Sequence, residues 1–426
     1  MKTAEWLKSD KQNVWHPFTP LQGEFDPLVI ESAQGIYLNT SDGRKIMDAV
    51  SSWWVNLHGH GHPTIAKAIA DQAKKLEHVM FAGFMHEPAI SLAENLLSIL
   101  PNDQVKIFYS DNGSTAVEVG LKMAMQFWYN KGLEKKRIIA LDGAYHGDTF
   151  GAMSVGERSE FTTPFMPYLF HVDFIDFPHK SNEERSFDQF KSQIDSGEVA
   201  AFIFEPIIQG ASGMRIYSQE ILDEMIAYAR EHDVICIADE VMTGFGRTGK
   251  LFASEHLVNQ PDIICLSKGL TGGALPLGVT SCNNKIVDAY QTKDLAKAFL
   301  HGHSFTANPM SCAAANASFQ LLMEDENLEN VKRISECHRS FMKKHSDNPK
   351  IKDVRTIGCI LAVEFNSAGP SSYLSELRNE LYPFFMERDI LLRPLGNLIY
   401  IIPPYVITNE ELARIYSAIE EFIDSL

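Results

Sequence analysis

The stretch VICIADEVMTGFGRTGKLFASEHLVNQPDIICLSK, residues 234–268, decides the fold. It contains two short apolar runs, and each run ends in a charged residue, Asp239 in the first and Lys268 in the second. Short apolar runs bounded by polar residues are typical of strands that are buried on both faces of a parallel sheet. We therefore predict an α/β fold in which helices cover both faces of the sheet.

The same alternation continues on both sides of this stretch. Apolar runs predict strands at residues 105–109, 138–141, 200–204, 234–238, 263–267 and 277–281. Amphipathic segments between them predict helices, of which the clearest are 114–129 and 219–232. These helices follow the N-terminal signals Gly113-Ser114 and Ser218.

The pattern changes after about residue 312. A long helix at 312–323, a polar hinge at Asn348-Pro349, a few strands and a terminal helix at 409–425 predict a second, smaller domain. The first sixty residues are too short to fold alone. We predict an N-terminal segment (1–60) that docks on the small domain, a large domain (61–312) and a C-terminal small domain (313–426).

The charge balance argues against a nucleic-acid partner. The chain has 38 Lys and Arg residues against 55 Asp and Glu residues, a formal net charge of −17. Such a charge repels a polyanionic backbone. The one compact basic run, Lys135-Lys136-Arg137, is expected to close a surface helix.

The remaining composition predicts a cytoplasmic protein without a membrane partner. No window has the roughly 18 uncharged apolar residues of a membrane span, and the N-terminus has no signal-peptide pattern. The six cysteines are scattered singly without a C-x-x-C pair, so we expect reduced core residues.

Three strand ends carry candidate chemistry. Ligands collect at the carboxyl ends of strands in such sheets. One strand ends in Asp239-Glu240, a second in Lys268-Gly269, and a third in a run of residues that leads to Gly113-Ser114. We expect a carboxylate, a lysine and an anion-binding helix N-terminus to meet there.

Lys268 is a candidate nucleophile. It lies between a buried strand and a glycine-rich run, where desolvation lowers a lysine pKa and favours the reactive neutral amine. The alternative is an exposed strand-end lysine, which is the more common situation for a lysine taken alone. The neighbouring motifs favour the nucleophile.

Asp239 and Gly113-Ser114 each have two interpretations. A buried Asp239 carboxylate needs a cationic partner, and a protonated pyridine nitrogen would be one; the alternative is a helix-capping or salt-bridged aspartate. Gly113-Ser114 opens a helix whose free N–H groups and dipole favour a phosphate; the alternative is a simple N-cap.

Two further motifs do not support their first interpretation. Residues 244–251 match most of a phosphate-loop pattern, but Leu251 stands where a hydroxyl is required and Asp239-Glu240 would repel a pyrophosphate. His58, His60 and His62 suggest a metal site, but no nearby carboxylate or cysteine completes the ligand set. We expect no metal and interpret the histidine segment as an active-site loop loosened by glycines.

Together, DEVMTGFGRTG at 239–249 and PDIICLSKG at 261–269 resemble the signature of the pyridoxal-phosphate-dependent class III aminotransferases. The resemblance runs nearly end to end and includes Tyr145-His-Gly-Asp148 and Glu205-Pro206. It implies fold type I, with a mostly parallel sheet in a large domain that binds pyridoxal phosphate and a smaller α+β domain. It also implies a homodimer with shared active sites.

The resemblance assigns roles to individual residues. It implies that the catalytic residues are Lys268, Asp239 and Tyr145. It implies that the cofactor is contacted by Gly113, Ser114, Tyr145, Asp239, Lys268, His303 and Ser304, with Ser304 reaching the phosphate from the partner subunit. It implies that the substrates are contacted by Phe18, Trp53, Tyr145, Lys268, Gly302 and Arg393. Arg393 suits a substrate carboxylate through a bidentate fork.

Several segments, among them WHPFT at 15–19 and SSWW at 51–54, are similar to one branch of the class, which works in biotin biosynthesis. That branch implies a ping-pong transfer from adenosylmethionine to a keto acid. Two positions depart from the branch pattern: Phe18 replaces a tyrosine, and His303-Ser304 replaces a Pro-Thr pair. Both departures also resemble relatives that use lysine, so lysine remains an alternative donor, and another class III ω-aminotransferase remains an alternative function. We further expect Glu205 to pair with Arg393 when no substrate carboxylate is present.

Overall fold

The computed structural model describes residues 2–23, 26–101, 103–366 and 377–426. The strands in chain order are β1 (Ile30–Gln34), β2 (Tyr37–Thr40), β3 (Lys45–Asp48), β4 (Gln104–Ser110), β5 (Arg137–Leu141), β6 (Asp173–Ile175), β7 (Val199–Phe204), β8 (Ile208–Gln209), β9 (Arg215–Ile216), β10 (Ile235–Asp239), β11 (Ile263–Leu266), β12 (Gly278–Asn283), β13 (Ile351–Ile357), β14 (Ile360–Phe365), β15 (Ile390–Leu391) and β16 (Leu398–Ile401).

The helices in chain order are α1 (Lys2–Asn13), α2 (Ser51–Trp54), α3 (Pro63–Lys75), α4 (Glu87–Ile99), α5 (Gly113–Asn130), α6 (Phe150–Val155), α7 (Glu183–Ile194), α8 (Gln219–Glu231), α9 (Asn284–Asp288), α10 (Pro309–Leu322), α11 (Asp325–His345), α12 (Leu377–Met386) and α13 (Asn409–Ser425). Of these, α2 is a distorted turn, because none of its four residues has the dihedral angles of a right-handed helix.

A seven-stranded sheet forms the centre of the molecule, in the order β4-β12-β11-β10-β7-β5-β6. Its strands are parallel except that β12 is antiparallel to both neighbours. The α/β prediction is confirmed, and each of the six predicted strands is present. The seventh, β6, was not predicted because it is only three residues long and too short to show a pattern.

Alternate residues of the central strands pack into two separate hydrophobic clusters, one on each face of the sheet. Ile263 and Cys265 belong to one cluster, whereas Ile264 and Leu266 belong to another. Helix α5 covers the first face so closely that a Cβ at Gly120 would lie 3.1 Å from the Cys265 sulfur. Burial on both faces explains the continuous apolar runs, and the close packing fixes where the N-terminus of α5 lies.

Two smaller sheets lie at the ends of the chain, and the first of them joins the N-terminal and C-terminal segments. One has the order β1-β2-β3-β15, and β15 pairs in parallel with β3. The other has the order β13-β14-β16. The Ile402 N–H also donates to the Ala49 carbonyl at 2.9 Å. The N-terminal segment therefore contacts the C-terminal part of the chain, while the boundaries 1–60, 61–312 and 313–426 stay a prediction.

The prediction for the basic run was wrong. Helix α5 ends at Asn130, and Gly132 follows with a φ of +72° that a helix cannot continue. Lys135 instead donates to the carbonyls of His232 and Asp233, just beyond the end of α8. Arg137 begins β5 and forms an ion pair with Asp173 at 2.8 Å.

The cysteines were predicted to be reduced and buried in the core, and this holds for all but one of them. All six are free and five are buried, but Cys337 is only partly buried. The described residues include no helix with the length and apolarity needed to cross a membrane.

Candidate active site

The three strand ends do meet at one edge of the central sheet. β10 and β11 run in parallel, so Asp239 and Lys268 follow neighbouring strands at the same edge. β4 runs in that direction too, because both β4 and β11 are antiparallel to β12. The N-terminus of α5, at Gly113, therefore opens at this edge. The structure brings together the residues that the sequence selected.

Lys268 is half-buried in a strained turn. Its φ is +46°, in the left-handed region that few non-glycine residues adopt. Its ammonium nitrogen lies 4.6 Å from the centre of the Trp54 ring. Desolvation lowers the pKa of Lys268 to about 8, although the negative charges of Asp239 and Glu205 oppose the shift. A substantial neutral fraction near neutral pH follows, as a nucleophilic amine requires.

Asp239 is buried and its partner is His146. The two side chains form a bond of 2.7 Å between Nδ1 of His146 and one carboxylate oxygen. The second oxygen accepts the Val241 N–H at 3.0 Å. Nε2 of His146 is buried and has no hydrogen-bond partner among the described residues.

Sequence reasoning missed His146. It belongs to the Tyr145-His-Gly-Asp148 segment, in which the resemblance assigned a role to Tyr145 alone. A signal was nevertheless available, since a buried strand-end carboxylate needs a positive or donating neighbour and an imidazole in an adjacent motif can supply it.

The N-terminus of α5 has both an N-cap and backbone N–H groups that are free to bind an anion, the two alternatives considered for Gly113-Ser114. The Asn112 side chain accepts the Thr115 N–H at 3.0 Å, and the Thr115 hydroxyl accepts the Asn112 N–H, so a capping box is present. The N–H groups of Gly113 and Ser114 have no acceptor within the described part of the chain. They remain available for an anion.

Close packing explains the glycine at this N-terminus. A Cβ at Gly113 would lie 2.7 Å from a methyl group of Val241, which follows Asp239-Glu240. The Ser114 hydroxyl accepts the Asp148 N–H at 3.2 Å. The phosphate candidate is thus packed between the residues after β10 and the Tyr145 segment.

The Tyr145 segment is held from two sides. Glu118 on α5 accepts the Thr149 hydroxyl at 2.6 Å and the Gly151 N–H at 2.7 Å. Glu205 accepts the Tyr145 N–H at 3.1 Å. Burial raises the pKa of Tyr145, and the carboxylate of Asp148 adds to the shift, so the phenol stays protonated.

Glu205 does not pair with Arg393 in this structure. Its carboxylate instead accepts the N–H groups of Tyr145 and Gly210, the latter at 2.9 Å. Burial raises the pKa of Glu205 to about 7. The expected pairing was wrong for this state, because two backbone donors already occupy the carboxylate.

The proposed substrate residues lie in two groups. The Arg393 guanidinium lies 4.3 Å from the centre of the Trp53 ring, and the Phe18 ring packs edge-on against Trp53 at 5.6 Å. Gly302 and Ser304 are exposed on a separate loop. No hydrogen bond, ion pair or ring contact among the described residues joins 302–304 to Lys268.

Arg247 lies in the segment 244–251, which matches most of the phosphate-loop pattern. Its guanidinium donates hydrogen bonds to backbone carbonyls. Arg247 is 1% exposed and donates to the carbonyls of Pro403 at 2.9 Å, Asn56 at 3.0 Å and Trp54 at 3.3 Å. Three separate parts of the chain are thereby joined beside Lys268.

The histidine segment binds two different partners. Nε2 of His58 lies 3.1 Å from the Ser318 hydroxyl, and burial lowers the pKa of His58 to about 4, so its imidazole is neutral. His60 bonds to Asp48, a carboxylate twelve residues earlier that sequence reasoning overlooked. The described residues contain no group of three or more metal-ligating side chains.

Comparisons with known proteins agree with this geometry. Residues 21–423 match the family model of the class-III aminotransferases. A curated relative from Synechococcus elongatus, an adenosylmethionine-8-amino-7-oxononanoate aminotransferase, is 46% identical over 422 residues, 97% of this chain and 99% of its own length. A relative of the same name from Helicobacter pylori is 37% identical, over 98% of this chain and 97% of its own.

Solved structures give the same picture. The adenosylmethionine-8-amino-7-oxononanoate aminotransferase of Methanocaldococcus jannaschii superimposes with a TM-score of 0.93 at 35% identity, covering 99% of both chains. An omega transaminase from Pseudomonas jessenii, in complex with PMP, superimposes with a TM-score of 0.92 at 27% identity, covering 98% of this chain and 97% of its own.

We expect His146→Leu to destabilise the cofactor-free protein by about 3–5 kcal/mol, since it leaves the buried Asp239 carboxylate without its partner. Urea unfolding followed by circular dichroism measures the change. The matched control is His171→Leu, which removes an exposed imidazole from Asp173. The control should cost less than about 1 kcal/mol. Equal losses in the two variants would refute the role given to His146.

Glu205 should make stability depend on pH. Its folded pKa is raised, so the native state holds the proton more tightly than the unfolded state does. The stabilising contribution is present below the ordinary glutamate pKa of about 4.5 and is lost as the pH rises through about 7, by about 3 kcal/mol in total. We expect the unfolding free energy of the wild type to fall by this amount relative to that of Glu205→Gln as the pH rises from 4.5 to 8. Parallel curves for the two proteins would contradict it.

Proposed function

The chain belongs to the class III aminotransferases, and we propose that it transfers the amino group of S-adenosylmethionine to 8-amino-7-oxononanoate to give 7,8-diaminononanoate, a step of biotin biosynthesis. The observation that carries the proposal is the half-buried Lys268 amine, with its lowered pKa, beside the buried Asp239 carboxylate. Relatives that carry the narrower name match almost the whole chain, which supports the choice of substrates.

The proposal requires pyridoxal 5′-phosphate, and the residues present fit this cofactor. The free N–H groups of Gly113 and Ser114 suit its phosphate, and Asp239 suits its protonated ring nitrogen. Tyr145 suits its ring face, and Lys268 its aldehyde. When bound, the cofactor supplies an electron-poor ring that accepts the electron pair left when a substrate C–H bond breaks.

Asp239 and His146 keep a negative charge in place at the bottom of the site. The imidazole donates to one carboxylate oxygen and the Val241 N–H to the other, so both oxygens of the buried carboxylate are paired. A carboxylate at this position would favour a protonated ring nitrogen, and thereby the electron-poor form of the cofactor.

Lys268 carries the proton. With a pKa of about 8, its amine exists in both forms near neutral pH, so it could take a proton from the substrate carbon that bears the amino group and deliver it to the aldehyde carbon of a bound cofactor. The Trp54 ring lies 4.6 Å from the Lys268 nitrogen and covers one side of the amine. Donor and acceptor then use the same amine in turn, as a ping-pong reaction requires.

Arg393 suits the acceptor carboxylate. Its guanidinium lies over Trp53 and has no ion pair among the described residues, so it is available for a bidentate contact. Phe18 and Trp53 form an apolar wall next to it, which suits the aliphatic chain of the oxononanoate.

We expect Lys268→Ala to lower the rate of amino transfer by at least about 10³-fold, because it removes both the nucleophile and the general base. Transfer to 8-amino-7-oxononanoate is followed by chromatography of the diamine product. Lys67→Ala, which removes an exposed lysine of α3, serves as the control and should keep the wild-type rate. A Lys268→Ala variant that retains full activity would end the proposal.

The donor is tested by offering adenosylmethionine and lysine separately to the cofactor-loaded enzyme. We expect adenosylmethionine to abolish the visible absorbance of the cofactor that is bound to Lys268. Free lysine should have little effect on this absorbance. The opposite result would assign lysine as donor, in agreement with Phe18 and His303. Activity with an ω-amine but not with 8-amino-7-oxononanoate would support another class III function.

We also propose that the active unit is a homodimer with shared sites. Large apolar side chains more than half exposed cluster on two neighbouring segments, namely Met80, Phe84, Met85, Leu300 and Phe305. The rings of His78 and Phe305 lie 5.5 Å apart and join the two segments. A second copy would cover this surface and bring the exposed Ser304, beside His303, to the partner's phosphate.

Sedimentation velocity should give twice the chain mass of 47.8 kDa at micromolar concentration. Phe84→Glu should shift the protein towards the monomer, because it places a charge in the proposed apolar interface. Val258→Glu, at a more exposed apolar position elsewhere, should leave the dimer intact. A wild-type protein that sediments as a monomer would disprove the shared site.

The cysteines support a reducing compartment. All six are free, although cysteines in oxidising compartments commonly pair. We therefore propose that the enzyme works in the cytoplasm.

A further inference from the structure

Residues 49–59 form a loop whose two ends are joined by side chains. We call this segment the tryptophan loop, because it carries Trp53 and Trp54. Asp48, the last residue of β3, precedes it, and His60 follows it. Nε2 of His60 lies 2.8 Å from the Asp48 carboxylate. The backbone of His60 also pairs with Gly35, next to β1, through bonds of 2.7 and 3.1 Å. The loop is therefore closed at its base.

The Asp48 carboxylate directs the first half of this loop. Its side chain is fully buried. One oxygen accepts the N–H groups of Val50 at 3.2 Å and Ser52 at 2.8 Å. The other oxygen accepts the Ser52 hydroxyl at 2.9 Å in addition to the His60 imidazole. Four donors from three residues thus converge on a single carboxylate.

The backbone that these bonds hold is strained. Ser51, Ser52 and Trp54 have φ values of +51°, +59° and +67°, all in the left-handed region. Non-glycine residues keep such angles only where surrounding contacts enforce them. The bonds from Val50 and Ser52 to Asp48 supply that enforcement at the strained turn itself.

The strained turn decides where two aromatic rings lie. Trp54 is 6% exposed and faces the Lys268 amine, whereas Trp53 is 39% exposed and supports the Arg393 guanidinium. Neither Asp48 nor His60 itself makes a hydrogen bond or ion pair with Lys268 or Arg393 in the described part of the chain. Both residues can influence the site only through the loop.

We propose that the Asp48–His60 pair is a clasp that positions the tryptophan loop, and through Trp53 and Arg393 sets the affinity for the carboxylate of the acceptor. This inference rests on the proposed function for the identity of the acceptor. The clasp itself is a property of the cofactor-free chain. Asp48 and His60 are positioning residues, since they act through the loop rather than on substrate.

The first test compares two variants of His60. His60→Leu removes the donor to Asp48, whereas His60→Gln keeps an N–H donor of similar reach. We expect His60→Leu to raise KM for 8-amino-7-oxononanoate at least 10-fold, with a smaller change in kcat. The reason is that displacement of Trp53 and Arg393 weakens binding of the substrate in its ground state. His60→Gln should restore KM to within about 3-fold of wild type. An unchanged KM in His60→Leu would overturn the clasp.

The second test uses the cofactor-free protein and needs no substrate. Ser52→Ala deletes one bond to Asp48 without leaving a buried charge unpaired. We expect Ser52→Ala and His60→Leu to lose part of the near-ultraviolet circular dichroism that Trp54→Phe also loses, with unchanged far-ultraviolet spectra. The matched control is His345→Leu, which removes a partly buried bond to Glu420 between α11 and α13. The control should keep the tryptophan signal.

The two tests separate the clasp from the function. If the two variants lose the tryptophan signal but the wild type does not use 8-amino-7-oxononanoate, the clasp is supported and the proposed substrate is refuted. Native tryptophan spectra in both Ser52→Ala and His60→Leu would refute the clasp, whatever the activity. If His60→Leu does not fold, the spectrum of Ser52→Ala is sufficient to support or refute the clasp.

Discussion

The site depends on keeping the Lys268 amine poorly solvated while a negative charge stays close to it. Burial lowers the pKa of Lys268, and the carboxylates of Asp239 and Glu205 limit the shift, so the amine remains between its two protonation states. A fully solvated amine would be protonated, and a fully isolated one would be too costly to charge. The central sheet makes this balance possible, because it ends the strands before Asp239 and Lys268 side by side.

Three buried charged side chains around the amine are held by specific hydrogen bonds. His146 and a backbone N–H hold Asp239, two backbone N–H groups hold Glu205, and three carbonyls hold Arg247. Unpaired polar groups are expensive in a core, so these bonds make the arrangement rigid. The same logic applies to Asp48, whose four donors keep the strained tryptophan loop in place. Rigidity at these points orients the reactive side chains before any ligand arrives.

Much of the fold and the chemically active core could be predicted from the chain alone. The six longer strands of the central sheet, the two helices α5 and α8, and the strand-end positions of Asp239, Lys268 and Gly113 all follow from local sequence patterns. The errors have local causes as well: β6 is too short to show a pattern, and the basic run follows a helix that ends earlier, before Gly132. The expected Glu205–Arg393 pair was wrong because nothing local shows that backbone N–H groups occupy Glu205 first.

The sequence by itself determined which segments are buried and which polar residues end them, because hydrophobic periodicity and helix capping act over a few residues. Only the tertiary structure decided which side chains meet. His146 reaches Asp239 across 93 residues, and Arg247 joins carbonyls 156 and 193 residues away. Such contacts depend on strand order and on close packing between distant segments, so no local pattern specifies them. The partners that position the reactive amine therefore exist only in the folded chain.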